Sequence, residues 1–204
     1  MKNQFKNKKG GLTIMEILLA MAISIAILGV FTLFAKNLWT YNAFVSSSFT
    51  SIDAGRKILK TISSEIRTIA SQSDIGTYPI SQASASSFTF YSDIDGDGLK
   101  ERVRYFLTST TLQKGVIKPT GSPLSYNSAN EIISTLAINE TNASIFSYYN
   151  KNYDGTTAAL SFPVNIPDIR LVKIILTIDD NPNRPPAPLT FSTQVSIRNL
   201  KDNL

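Results

Sequence analysis

The segment Asp93-Ile94-Asp95-Gly96-Asp97-Gly98-Leu99-Lys100-Glu101 carries the densest cluster of carboxylates in the sequence. Acids at its first, third, fifth and ninth positions, with glycine at the sixth, match most of the ligand spacing of a calcium-binding loop. Alternate residues on a tight turn aim their oxygens inward, Gly98 permits the bend, and Leu99 would add its backbone carbonyl. The closing bidentate acid of such a loop falls on Arg104 here, and both flanks read as strands. The segment is therefore a hairpin loop with borrowed ligand spacing. Three Asp within five residues disfavour a compact turn unless a cation offsets them. Asp93, Asp95, Asp97, Leu99 and Glu101 form a candidate Ca2+ site; the alternative is a solvated turn chosen for its backbone geometry alone.

Other chemistry is limited by what the chain lacks. Its 204 residues include no His and no Cys. That removes the usual general base, imidazole and thiolate metal sites, thiol nucleophiles and disulfides. No Gly-rich phosphate loop stands between a strand and a helix. An enzyme would have to work with carboxylates, Lys or Tyr, and no pocket signal accompanies the acids of the loop. No catalytic residue is assigned, and no cofactor beyond Ca2+ is expected.

A second acid stands out by its surroundings. Glu16 is the only charge in the 24 residues Leu12–Ala35, LTIMEILLAMAISIAILGVFTLFA. At about 1.5 Å per residue this run spans the ~30 Å hydrocarbon core of a bilayer as a helix. It is too long for the apolar part of a secretory signal peptide. Four of the 20 basic residues, Lys2, Lys6, Lys8 and Lys9, precede it with no acid among them, so the rest of the chain is close to neutral. Basic charge in a short head is not the patch of a nucleic-acid binder, and no nucleic-acid contact is expected. By the positive-inside rule the head lies on the cytoplasmic side. A carboxylate inside such a segment is expensive and functional by default, and it calls for a cationic partner.

The residues KKGGLTIMEILLAMAISIAIL resemble the N-terminus of type IV prepilins and of type II secretion pseudopilins. The resemblance implies a leader, residues 1–11, cut by a prepilin peptidase after Gly11, with N-methylation of the new first residue, Leu12. It implies that Glu16 pairs with a neighbouring subunit's N-terminal amine during filament assembly. Implied partners are the peptidase, other pilin or pseudopilin subunits, an assembly-platform membrane protein and membrane lipid. The implied place is the bacterial inner membrane, single-pass, with the globular part periplasmic or extracellular and then in a pilus or pseudopilus. Small residues at Ala20, Ala22, Ser24, Ala26 and Gly29 suit close helix packing. The reading of another class is a single-pass surface or adhesion protein on an uncleaved anchor.

Beyond the apolar segment, 12–35, the helix is expected to continue as an amphipathic one over 36–73. Val45, Phe49, Ile52, Leu59, Ile62, Ile66 and Ile69 recur at helical spacing. Residues 77–87, TYPISQASASS, read as a loop. The pattern then turns to a period of two, giving strands at 87–92, 102–107, 111–117, 170–178 and 189–197, with short apolar pieces at 132–133 and 145–149. LKTISSEIRTIA followed by a strand and RVRYFLTSTTLQKG resembles minor pseudopilin J and related minor pilins. The expected class is α+β: a long N-terminal helix, its first half transmembrane, on a mostly antiparallel sheet of a β-rich domain, 74–204, in a pilin-like arrangement.

Overall fold

A single helix, α1, runs from Ile14 to Arg67 in the computed structural model, which describes residues 13–137, 140, 142–179 and 187–200. The chain divides into two units, one up to Ser46 and one from Ser47 onward. Within the second unit the helix buries Ser51, Gly55, Ile58, Ile62 and Ile66. The lower half of the expected stripe is thus present, with Ile69 continuing it just past the helix. The upper half is rotated. Phe49 is 67% exposed, while the small residues Ser51 and Gly55 face inward. The reason is Phe191, whose ring would lie 2.5 Å from a Cβ at residue 55. An aromatic ring from the sheet fills the space, so the helix supplies the gap.

The helix stops six residues short of the expected Ser73, because its last turn is claimed by other elements. The Ala70 N–H donates to the Tyr91 carbonyl at 2.9 Å, and the Ser92 hydroxyl donates to the Thr68 carbonyl at 3.0 Å. Asn199 Nδ2 donates to the Ile69 carbonyl at 2.7 Å. Groups that a continuing helix would need are thereby satisfied elsewhere.

Among the described residues eight strands follow: β1 (Ile80–Ala83), β2 (Ser87–Ser92), β3 (Glu101–Thr108), β4 (Thr111–Ile117), β5 (Ile132–Ala137), β6 (Phe146–Tyr149), β7 (Leu171–Ile178) and β8 (Leu189–Ser196). They form a five-stranded sheet in the order β1-β2-β3-β4-β5 and a three-stranded sheet in the order β6-β7-β8. Every pairing among them is antiparallel, as expected of an α+β chain. β1 corrects the loop expected at 77–87. Only Ile80 is fully buried in it, with Ser81 and Gln82 outside and a register shift between Ile80 and Gln82. A four-residue edge strand with a bulge carries too little alternation to be read from sequence.

One core joins both sheets to the helix: Ile62, Ile66 and Ile69 pack in the same cluster as Phe88, Phe90, Val103, Tyr105, Tyr148 and Ile174. Burying each isoleucine contributes about 1.5–3 kcal/mol relative to exposure. A polar clamp crosses the apolar contact. Glu65 on α1 accepts from Lys114 Nζ and from Tyr105 Oη, each at 2.6 Å.

Candidate functional site

The apolar segment is built for surroundings other than water. Eighteen of the twenty-four exposed large hydrophobic side chains among the described residues lie between Ile14 and Phe44. They cover the helix all round, at a mean hydropathy of 2.7 over its most apolar stretch. The helix is long and apolar enough to cross a membrane. Two of its hydroxyls bond within it: Ser24 Oγ donates to the Ala20 carbonyl at 2.7 Å, and Thr32 Oγ1 to the Gly29 carbonyl at 2.8 Å. A segment in hydrocarbon must meet that condition.

Glu16 sits in the first turn of α1 and is exposed. Thr13 caps this end, its Oγ1 accepting from the Glu16 N–H at 3.3 Å. Thr13-Ile14-Met15-Glu16 is a capping-box sequence, a signal that a functional reading of Glu16 passes over. The carboxylate also lies at the N-terminal, positive end of the helix dipole. Gly11 and Leu12, the expected cleavage and methylation positions, lie outside the described residues.

The acidic loop joins β2 to β3, and its geometry follows from strand periodicity. In β3 the inward positions are Glu101, Val103 and Tyr105, so alternation places a carboxylate at the first core-facing position. Glu101 is only 2% exposed. Its Oε2 accepts from the Ile94 N–H at 3.0 Å, while Oε1 has no hydrogen-bond partner among the described residues. Burial is the main cause pushing its carboxyl upward, the Ile94 N–H and its own N–H oppose it, and Asp95 and Asp97 add to the rise.

Backbone N–H groups hold the remaining acids in a fixed turn. Asp93 accepts from Gly96 at 2.7 Å and from Gly98 at 3.0 Å, one bond to each carboxylate oxygen. Asp95 accepts from Asp97 N at 3.2 Å, and Asp97 from Leu99 N at 2.9 Å. Gly96 and Gly98 both take positive φ, 78° and 91°, the region that favours glycine. Carboxylate oxygens of Asp93, Asp95 and Glu101 come within 4.8 Å of one another. Asp97 does not join them; it pairs with Lys118, which also donates to Asp95 Oδ2 at 2.8 Å. Leu99 takes part through its N–H.

Sequence reasoning missed the residues that brace this loop. Asp74 accepts from Lys100 Nζ at 2.6 Å and from the Lys100 N–H at 2.7 Å. Tyr126 Oη donates to the Lys100 carbonyl at 2.7 Å, and its ring lies tilted against Tyr91, centroids 5.0 Å apart. Lys100 is therefore fixed through both its backbone groups, and Glu101 follows it directly. Nothing in the spacing of Asp74, Lys118 or Tyr126 announces these contacts, since each comes from a separate part of the chain. No protein-family model matches this chain, and no curated protein matches it either.

Proposed function

We propose that this chain is a precursor processed to a structural, pilin-like subunit of an envelope filament, a minor pilin or pseudopilin of a type IV pilus or type II secretion system. The observation that carries the reading is a helix whose large apolar side chains are exposed from Ile14 to Phe44, preceded by a Lys-rich Gly10-Gly11 head, with Glu16 in its first turn. The same helix runs on unbroken into the second unit, so one element serves as membrane anchor and as part of the folded core.

The work of such a subunit is assembly. The head holds the N-terminus on the cytoplasmic side, a prepilin peptidase cuts after Gly11 and methylates Leu12, and the helix leaves the lipid to bundle with helices of other subunits on an assembly platform. Eighteen exposed apolar side chains exchange lipid contacts for helix contacts in that step at little net cost. Glu16, a charge with no cationic partner among the described contacts of its helix end, gains a neighbour's terminal amine. This role is structural and has no catalytic step.

Intact mass of the purified protein tests the reading. Loss of residues 1–11 with one added methyl group on Leu12 supports it. A chain that keeps Met1 to Gly11 in a host with active peptidase overturns it in favour of an uncleaved single-pass anchor.

A further inference from the structure

We propose that the outer face of the five-stranded sheet binds an acidic sugar, a hydroxyl-rich ring carrying one carboxylate, in a cleft anchored by Arg102. The site is separate from the features that carry the filament reading and does not depend on it.

Strand register builds the cleft. Gln82, Thr89, Arg104 and Gly115 stand opposite one another on β1, β2, β3 and β4. Alternation along β3 puts this row on the face away from Val103 and Tyr105, and Arg102 joins it two residues along. The register shift in β1 falls between Ile80 and Gln82 and leaves both Ser81 and Gln82 exposed. These side chains, with Ser128 and Glu131 from the chain leading into β5, line a cavity of about 320 Å3. That is the small end of ligand-binding cavities and suits one sugar ring.

Two features point to a ligand. Thr89 is 5% exposed and lines the cavity, yet its Oγ1 has no hydrogen-bond partner among the described residues. A buried hydroxyl without a partner is costly, and a ligand hydroxyl seated against it supplies one. The second feature is Arg102. Among the described residues its side chain makes one hydrogen bond, from Nη2 to Ser128 Oγ at 3.1 Å, and pairs with no carboxylate. Arg104 is by contrast committed. It donates to Glu131 through bonds of 2.9 and 2.7 Å and lies over Phe106, its guanidinium carbon 3.9 Å from the ring centroid. Gly115 makes room for that pair, since a Cβ there would collide with the Glu131 carboxylate.

The lining selects the ligand. Two guanidinium groups against one carboxylate leave a single positive charge, which matches a monoanion, and Glu131 repels the second charge of a phosphate dianion. The planar fork of Arg102 suits a carboxylate. Ser81, Gln82, Thr89 and Ser128 both donate and accept, as sugar hydroxyls require. No large apolar side chain is among the lining residues, so a hydrocarbon body finds no seat. One net charge is also too little to follow a nucleic-acid backbone.

The test uses the full chain in detergent micelles and saturation-transfer NMR with glucuronate, glucose and inorganic phosphate. Glucuronate should bind saturably with Kd on the order of 1 mM, as suits a small ligand held by one ion pair. Glucose should bind at least about tenfold more weakly, and Arg102→Gln should weaken glucuronate by a similar factor. Thr89→Val keeps the shape and removes the hydroxyl. It should weaken glucuronate about threefold or more while Tm stays level or rises, a combination that a purely structural threonine would not give. A short polyuronate locates the source: binding as tight as the monomer assigns the site to an acidic polysaccharide, and exclusion of the oligomer assigns it to a free sugar acid. Absence of a saturable glucuronate signal overturns the proposal. So does glucose binding equal to that of glucuronate, or displacement of glucuronate by a lower concentration of phosphate. Undiminished affinity in either variant, each checked for its fold by circular dichroism, overturns it as well.

Discussion

Truncating Glu65 tests whether α1 is held to the sheet by a buried ionic clamp as well as by apolar contact. Its two oxygens accept from Lys114 Nζ and Tyr105 Oη at 2.6 Å each. The Lys114 and Glu65 side chains are 13% and 15% exposed, and Tyr105 is fully buried. Removing one partner of a buried pair costs about 3–5 kcal/mol, and the residual exposure here favours the lower end. Orphaning a buried hydroxyl adds about 1–3 kcal/mol. Water entering the vacated space restores some of both, so Glu65→Ala should cost about 3–4 kcal/mol in all. For a unit of this size each kcal/mol is worth roughly 2–4 °C, which places the fall in Tm near 10 °C. Tyr105→Phe keeps the ion pair and should cost only about 1 kcal/mol. The double variant Glu65→Leu/Lys114→Met removes both charges and should recover the part of the loss due to the orphaned ammonium, leaving the cost of the Tyr105 hydroxyl. The assay is thermal unfolding of the full chain in detergent, read by tyrosine near-ultraviolet circular dichroism. A loss below about 2 °C for Glu65→Ala refutes the clamp. So does a double variant no more stable than the single one.

Three further outcomes follow from other parts of the molecule. Gly55→Ala sets a Cβ 2.5 Å from the Phe191 ring and should destabilise by about 1–3 kcal/mol, with partial relief in Gly55→Ala/Phe191→Leu; full stability of the single variant would show that the ring moves freely. Glu16→Leu should insert and be processed normally but enter filaments at least about tenfold less often, as judged by the ratio of filament to membrane protein, and wild-type incorporation would discard the pairing with a neighbour's amine. Asp74 gives a pH signature: burial alone would raise its carboxyl, but Lys100's ammonium and N–H outweigh this and hold it below its ordinary value. A lowered value in the folded state means stability present above the unfolded value and lost as pH falls through the folded one. Asp74→Asn should therefore unfold at a lower temperature than wild type at neutral pH and converge with it in strongly acid solution, and a gap that widens on acidification contradicts the bond.

The strands were legible where one face is buried against a core. β7 alternates without interruption, Val172, Ile174, Leu176 and Ile178 inward, and its apolar, branched run marks it as a strand in the sequence. β4 falls on the expected 111–117, and the β2–β3 hairpin differs from its expected bounds only by Glu101 and Thr108. Those two residues matter, because assigning Glu101 to the loop hides that it shares a face with Val103 and Tyr105. The helix face above Ile58 was misread for a different reason. Phe49 looks like core by hydrophobicity, yet what faces inward is decided by Phe191, some 140 residues away in sequence, and no local period records that. The loop's bracing by Asp74, Lys118 and Tyr126 is likewise long-range. Acid spacing pointed to the turn, and tertiary contacts decided which acids converge and which are diverted to lysine.

The tie between Asn199 and the Ile69 carbonyl spans 130 positions, and Phe191 reaches Gly55 across nearly the same stretch. Synthesis runs from the helix toward these residues, so the helix is made first and its last contacts are made last. The five-stranded meander closes by neighbour-to-neighbour pairing and can form as it emerges. The helix face from Gly55 to Ile69 stays partly uncovered until β8 and the turn after it leave the ribosome. Contacts of such long range set a slow final step, because the loop-closure entropy is met before they contribute anything. The apolar segment, by contrast, is complete from the outset. A helix long and apolar enough to cross a membrane is therefore made before the core is complete, and that order is written into the direction of the chain.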